Sequence, residues 1–145
     1  MNRVDLFKCV ALTFLFMAGI TSCRQNNSTT EINIAEITAD STIVNVLYFR
    51  VKHRCETCDA VARVTKNTIE TVYEASNKVR YIEIENSVKT NEALVEKYEV
   101  IWNALLIVKG DNVVDITQRA FLNAVNKPQI LENLIKDEVD RIIKN

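Results

Sequence analysis

From Ile43 to Phe49 the chain reads Ile-Val-Asn-Val-Leu-Tyr-Phe, seven residues rich in β-branched and aromatic types with no charge among them. A short apolar run of this kind, ended by the basic link Arg50 to Arg54, predicts a strand covered on both faces. Beyond Cys55-Glu56-Thr57-Cys58 the period changes. Val61, Val64, Ile69, Val72 and Tyr73 recur at the spacing of a helix that lays one side on a core, so the stretch from Ile43 to about Asn77 reads as strand, link and helix. Val79 to Glu85 alternates apolar and charged residues near its end, which suits an edge strand with one wet face.

Thr90 is a candidate N-cap for a short helix through Tyr98, with Leu94 and Tyr98 on one face. Ala104 to Val108 is a second continuous apolar run and hence a second central strand. Lys109-Gly110-Asp111-Asn112 reads as a turn, and Asn112 to Thr117 as its hairpin partner. Ala120 to Val125 carries a hint of a helical turn. Pro128 then fits the first turn of a C-terminal amphipathic helix built on Ile130, Leu131, Leu134, Ile135, Val139, Ile142 and Ile143. The expected order is β-α-β-α-β-β-α, with the two apolar strands lying between the two half-polar ones. Its β-α-β opening requires a parallel pair with a right-handed crossover, and the Gly110 hairpin adds an antiparallel neighbour.

The first residues follow a different pattern. Arg3 and Lys8 flank a short polar stretch that also holds Asp5, and Cys9 to Ile20 is an unbroken run of apolar and small residues. That run has the length of a signal-peptide core and is too short to span a bilayer. It ends in Ile20-Thr21-Ser22-Cys23, which resembles the lipobox of bacterial lipoproteins. The resemblance implies a signal peptide over residues 1–22, cleavage before Cys23 and lipidation of that cysteine. Each buried CH2 of the acyl chains contributes ~0.8 kcal/mol to membrane binding. Arg24 to Ser41 is polar and without a sustained period. Residues 23–41 therefore read as a lipidated tether, whose coil reach is ~20–25 Å, and residues 42–145 as the folded domain. With Arg24 rather than aspartate after the lipidated cysteine, either the outer or the inner membrane is allowed.

Composition narrows the function. Removing the leader takes away Arg3, Lys8 and Asp5, so the formal net charge moves from −1 to −2. No basic stripe is present, and nucleic acid is not an expected partner. Two glycines and one proline leave no glycine-rich phosphate loop. About 123 residues suffice for one core, and a monomer is expected. Three cysteines remain: Cys23 for lipid, and Cys55 with Cys58. One close pair in an exported domain is not a disulfide scaffold, so catalysis or metal binding is the expectation.

The placement of that pair carries the chemistry. Where a strand hands over to a helix, the helix N-terminus offers unsatisfied N–H groups and the positive end of its dipole, which stabilise a thiolate. Lys52 and Arg54 work in the same direction, and Glu56 and Asp59 oppose it.

The element order, with Cys-x-x-Cys at the first strand–helix junction, resembles the thioredoxin superfamily over roughly Ile43 to Asn145. The resemblance implies a three-layer α/β fold, a four-stranded mixed sheet with helices on both faces. It implies that Cys55 is the exposed attacking cysteine and Cys58 the more buried resolving one, with a redox-active disulfide in place of any cofactor. Lys97-Tyr98-Glu99-Val100 is similar to the "KYGV" end of the family's second helix. Two positions depart from the pattern. Arg54 stands where the family has tryptophan, and Ile101-Trp102-Asn103 has no cis-proline before the third strand. That proline discourages metal capture by the thiols.

Three readings of Cys55 and Cys58 follow, beside the bland one of two small buried side chains. The first is thiol–disulfide exchange with a protein partner in the periplasm of a Gram-negative bacterium. The second is binding of copper, zinc or arsenic(III) by two soft thiolates, with His53 as the nearby third candidate; His53 otherwise reads as a solvated loop residue or a proton relay. The third is an interaction module without turnover. Arg54, Glu56, Thr57, Trp102 and Asn103 are the expected neighbours of the site, and Trp102 is expected either in the core or over the dithiol.

Overall fold

The computed structural model describes residues 37, 40–53 and 55–144. The leader, the lipidation motif at Cys23, most of the tether and Arg54 lie outside the described residues. The elements are β1 (Val44–Arg50), α1 (Glu56–Val72), β2 (Val79–Glu85), α2 (Glu92–Lys97), β3 (Ala104–Lys109), β4 (Asn112–Asp115), α3 (Thr117–Asn123) and α4 (Pro128–Lys144). The sheet order is β2-β1-β3-β4, with β1 parallel to β2 and the other two pairings antiparallel. The two apolar strands are therefore central and the two half-polar ones are edges, as the patterns predict.

Helices lie on both faces of this α/β sheet. Successive strand side chains point to opposite sides. On β1, Val44, Val46 and Tyr48 join Val61, Val64 and Ile69 of α1, Ala120 of α3 and Leu131, Ile135, Val139 and Ile142 of α4. Leu47 and Phe49 face the other way, onto Ile82 and Ile84 of β2, Leu94 of α2, Val100 and Ile37. Burial on both faces explains why β1 shows no alternation. Its Asn45 is fully buried and satisfied: it donates to the Ile37 carbonyl at 3.3 Å and accepts from Arg80 Nε.

Four details depart from the sequence reading. α1 ends at Val72, and Val72 itself is exposed, while Thr65 and Thr68 are buried. Thr68 reaches back to the Val64 carbonyl at 2.7 Å, which makes a polar residue admissible there. Thr90 is not an N-cap. It sits inside a 3₁₀ turn over Lys89–Asn91, and α2 begins only at Glu92. β4 stops at Asp115, because Thr117 opens α3 and its hydroxyl accepts the Leu105 N–H at 2.9 Å. The hinted turn after Ala120 is the second half of α3.

Polar contacts fix the outer elements. Tyr73, the C-cap of α1, donates to Asp140 of α4 at 2.7 Å. Lys109 Nζ donates to the Ile142 and Ile143 carbonyls at 3.1 and 3.4 Å, closing the C-terminal end of α4. Gly110 turns the β3–β4 hairpin at φ +57, where an added Cβ would meet Ser41 at 3.3 Å.

Candidate functional site around Cys55 and Cys58

Cys55 is the N-cap of α1, in extended backbone conformation, and its Sγ accepts the Cys58 N–H at 3.1 Å. A sulfur thus does what a serine or aspartate oxygen does at other helix starts. The two cysteines form a disulfide, with Cα atoms 5.0 Å apart. Their environments differ. Cys55 is exposed at the tip of the helix, whereas Cys58, one turn in, is only 7 % exposed.

Three segments converge beneath Cys58. From β1, the Tyr48 hydroxyl donates to the Cys58 carbonyl at 3.1 Å. From the link after β1, the Val51 N–H donates to Asn103 Oδ1 at 2.9 Å. From the loop before β3, Asn103 Nδ2 points at Cys58 Sγ, 3.6 Å away. The same loop is held on its other side, where Asn86 Nδ2 donates to the Trp102 carbonyl at 2.8 Å. It follows a strained helix end: Glu99 sits at φ +53, with Glu99 N–H on the Glu96 carbonyl and Val100 N–H on the Val95 carbonyl. That is the Schellman pattern, whose left-handed position normally takes glycine.

Beside the disulfide, the end of β1 carries a charge cluster. Arg50 binds Glu83 at 2.6 Å and Glu85 at 2.7 Å, the latter its register partner on β2. Burial works against the guanidinium charge, but the bond to Glu83 and the charges of Glu85 and Glu83 outweigh it, and the Arg50 pKa is raised. Tyr81, mostly buried and close to Glu83, has its phenol pushed well above the usual range, by burial first and by the glutamate charge second. Arg50, Glu83, His53 and Asp59 line a narrow crevice against Tyr48 and Cys58.

The expected neighbours take distinct places. Glu56 and Thr57 lie on the first turn of α1, exposed and half-buried respectively. His53 is exposed, and among the described residues no group of three or more His, Cys, Asp or Glu side chains is arranged to hold a metal ion. Asn103 touches the site directly. Trp102 is not in the core: it is 72 % exposed, next to Ile101 at 82 %. An apolar pair thus stands in solvent next to the residue that contacts Cys58. Tyr48 and Val51 were missed as site residues, since a tyrosine inside an apolar run gives no hint of where its hydroxyl goes.

No protein-family model matches this chain, and no curated protein matches it.

Proposed function

We propose that this domain is a member of the thioredoxin superfamily that performs thiol–disulfide exchange through Cys55 and Cys58, tethered by lipid on Cys23 in the cell envelope of a Gram-negative bacterium. The observation that carries the reading is the asymmetry of the disulfide. One sulfur is exposed at the N-terminus of α1 and the other is buried one turn inside it. The element order and the strand order β2-β1-β3-β4 support it.

The exchange runs in two steps. A partner thiolate attacks Cys55 Sγ, the Cys55–Cys58 bond breaks, and Cys58 leaves as a thiolate. The partner's second thiolate then attacks the partner sulfur bonded to Cys55, and Cys55 leaves in turn. The partner has lost two electrons and the Cys55–Cys58 pair has gained them; the two protons that the partner thiols release to solvent are taken up again as Cys55 and Cys58 are protonated. The reverse sequence reduces a partner disulfide. At Cys55 the Cys58 N–H and the helix dipole stabilise the thiolate that attacks or leaves.

The test is trapping with a glutathione redox buffer. Cys58→Ser should accumulate a mixed disulfide at Cys55, and Cys55→Ser should form none. Failure of the Cys58→Ser protein to accumulate the adduct overturns the reading. For the anchor, intact mass should show a mature chain beginning at an acylated Cys23; an unacylated chain cleaved elsewhere removes that part.

A further inference from the structure

We propose that Asn103 is a positioning residue that holds the Cys58 thiolate through its side-chain N–H, and so hastens closure of the disulfide; this rests on the exchange reading above. An asparagine amide has two ends of nearly equal shape, and its neighbours decide which faces which. The Val51 backbone N–H can only donate, so the end 2.9 Å from it must be Oδ1. The other end, Nδ2, is thereby aimed at Cys58 Sγ, at 3.6 Å, an ordinary separation for the larger sulfur atom. The backbone on either side of Asn103 is held, because the Trp102 carbonyl accepts from Asn86 and Ala104 enters β3.

Cys58 has a need that Cys55 does not. Its side chain is buried, and burial raises a thiol pKa by withholding water from the thiolate. Each sulfur then has its own donor: the Cys58 N–H serves Cys55, and the Asn103 amide serves Cys58. Other titratable or charged groups also face this sulfur's surroundings: Asp59 from α1, Tyr48 and Arg50 from β1, His53 from the link and Glu83 from β2. They are the same in every variant below.

In the reductive direction, Cys55 is joined to a partner sulfur, and Cys58, having lost its proton to solvent, attacks Cys55 Sγ. The new bond closes the disulfide and the partner leaves as a thiolate. Losing the donor raises the Cys58 pKa by about one unit, which lowers the thiolate fraction about tenfold. The more basic thiolate is about threefold more nucleophilic, so closure slows about threefold at neutral pH.

The experiment uses the reduced chain carrying Cys9→Ser and Cys23→Ser, so that Cys55 and Cys58 are its two thiols, and a chromogenic aromatic disulfide, dithiobis(nitrobenzoate), in excess, so that capture by Cys55 is the faster step. The first release of coloured thiolate reports capture and the second reports closure by Cys58, each followed across pH. Asn103→Ala should leave the first phase unchanged and move the second-phase midpoint up by about one unit. Asn103→Asp keeps an acceptor for Val51 but puts a negative charge beside the sulfur, and should move that midpoint further up. A normal first phase with an unmoved second-phase midpoint in Asn103→Asp overturns the inference alone. Absence of the first phase in the unaltered protein overturns the exchange reading, and the inference with it.

Discussion

The hydroxyl of Tyr48 donates to the carbonyl of Cys58 at 3.1 Å, so the central strand holds the first turn of α1 from beneath. Both partners are buried. Replacing Tyr48 with phenylalanine keeps the ring in its place under α1 and removes only the bond. The expected cost is about 1 kcal/mol, read by urea denaturation of the oxidised protein. A variant as stable as the parent would show that the carbonyl is adequately served within the helix.

Glu99 should be improvable. Its left-handed backbone costs a residue with a Cβ roughly 1–2 kcal/mol, part of which glycine gives back as chain entropy. Glu99→Gly should therefore stabilise the domain by about 0.5–1 kcal/mol in the same denaturation experiment. The comparison with the "KYGV" pattern aligns Glu99 with that glycine, and the geometry supplies the reason a glycine belongs there.

Trp102→Ala should separate stability from exchange. With its side chain mostly in solvent, the indole supports little of the core, and its loss should change stability by less than about 0.5 kcal/mol. On the exchange reading, a partner that reaches the disulfide is expected to meet Trp102 and Ile101, which stand exposed just before the residue in contact with Cys58. The variant should react normally with a small aromatic disulfide and more slowly with a folded protein disulfide. Equal slowing with both reagents would refute a docking role.

Glu138 links α3 to α4 through Arg119 at 2.9 Å and also binds Arg141. The Arg141 bond first, and the Arg119 bond second, hold its carboxyl below the usual range. The unfolded chain therefore takes up this proton before the folded chain does. The resulting stabilisation is complete above the ordinary glutamate pKa and is lost as the pH falls through the lowered folded value. Denaturation of the parent and Glu138→Gln across pH should give a constant gap above about pH 5 that narrows below about pH 4. A gap independent of pH would refute the assignment.

The fold was legible because each strand's neighbours are written in its side-chain pattern. Val44 to Phe49 of β1 and Ala104 to Val108 of β3 are apolar but for Asn45, since each strand is paired on both edges and covered on both faces, and Val79 to Glu85 alternates because β2 is an edge. The cysteine pair was legible from its position between β1 and α1. What escaped the sequence were side chains whose partners lie far along the chain. Thr117 ends the hairpin by accepting the N–H of Leu105, and Asn91 reaches the Glu85 carbonyl instead of capping α2. Trp102 escaped for a different reason. Hydrophobicity argues for the core, but its loop is pinned by the Trp102 carbonyl and the Asn103 amide, and that leaves the indole outside.

The Cys55–Cys58 bond spans a ring of only four residues within one turn of one helix. In the chain-entropy account, so small a ring restricts the unfolded chain by about 2 kcal/mol, against nearly 5 for a loop of a hundred residues. Neither α4 nor the sheet is tied to the rest of the chain by this bond. The domain should therefore keep its shape when the bond opens, with melting temperatures of the oxidised and reduced forms about 10 °C apart. A cross-link that contributes so little to holding the domain together can be opened and closed repeatedly without unfolding it.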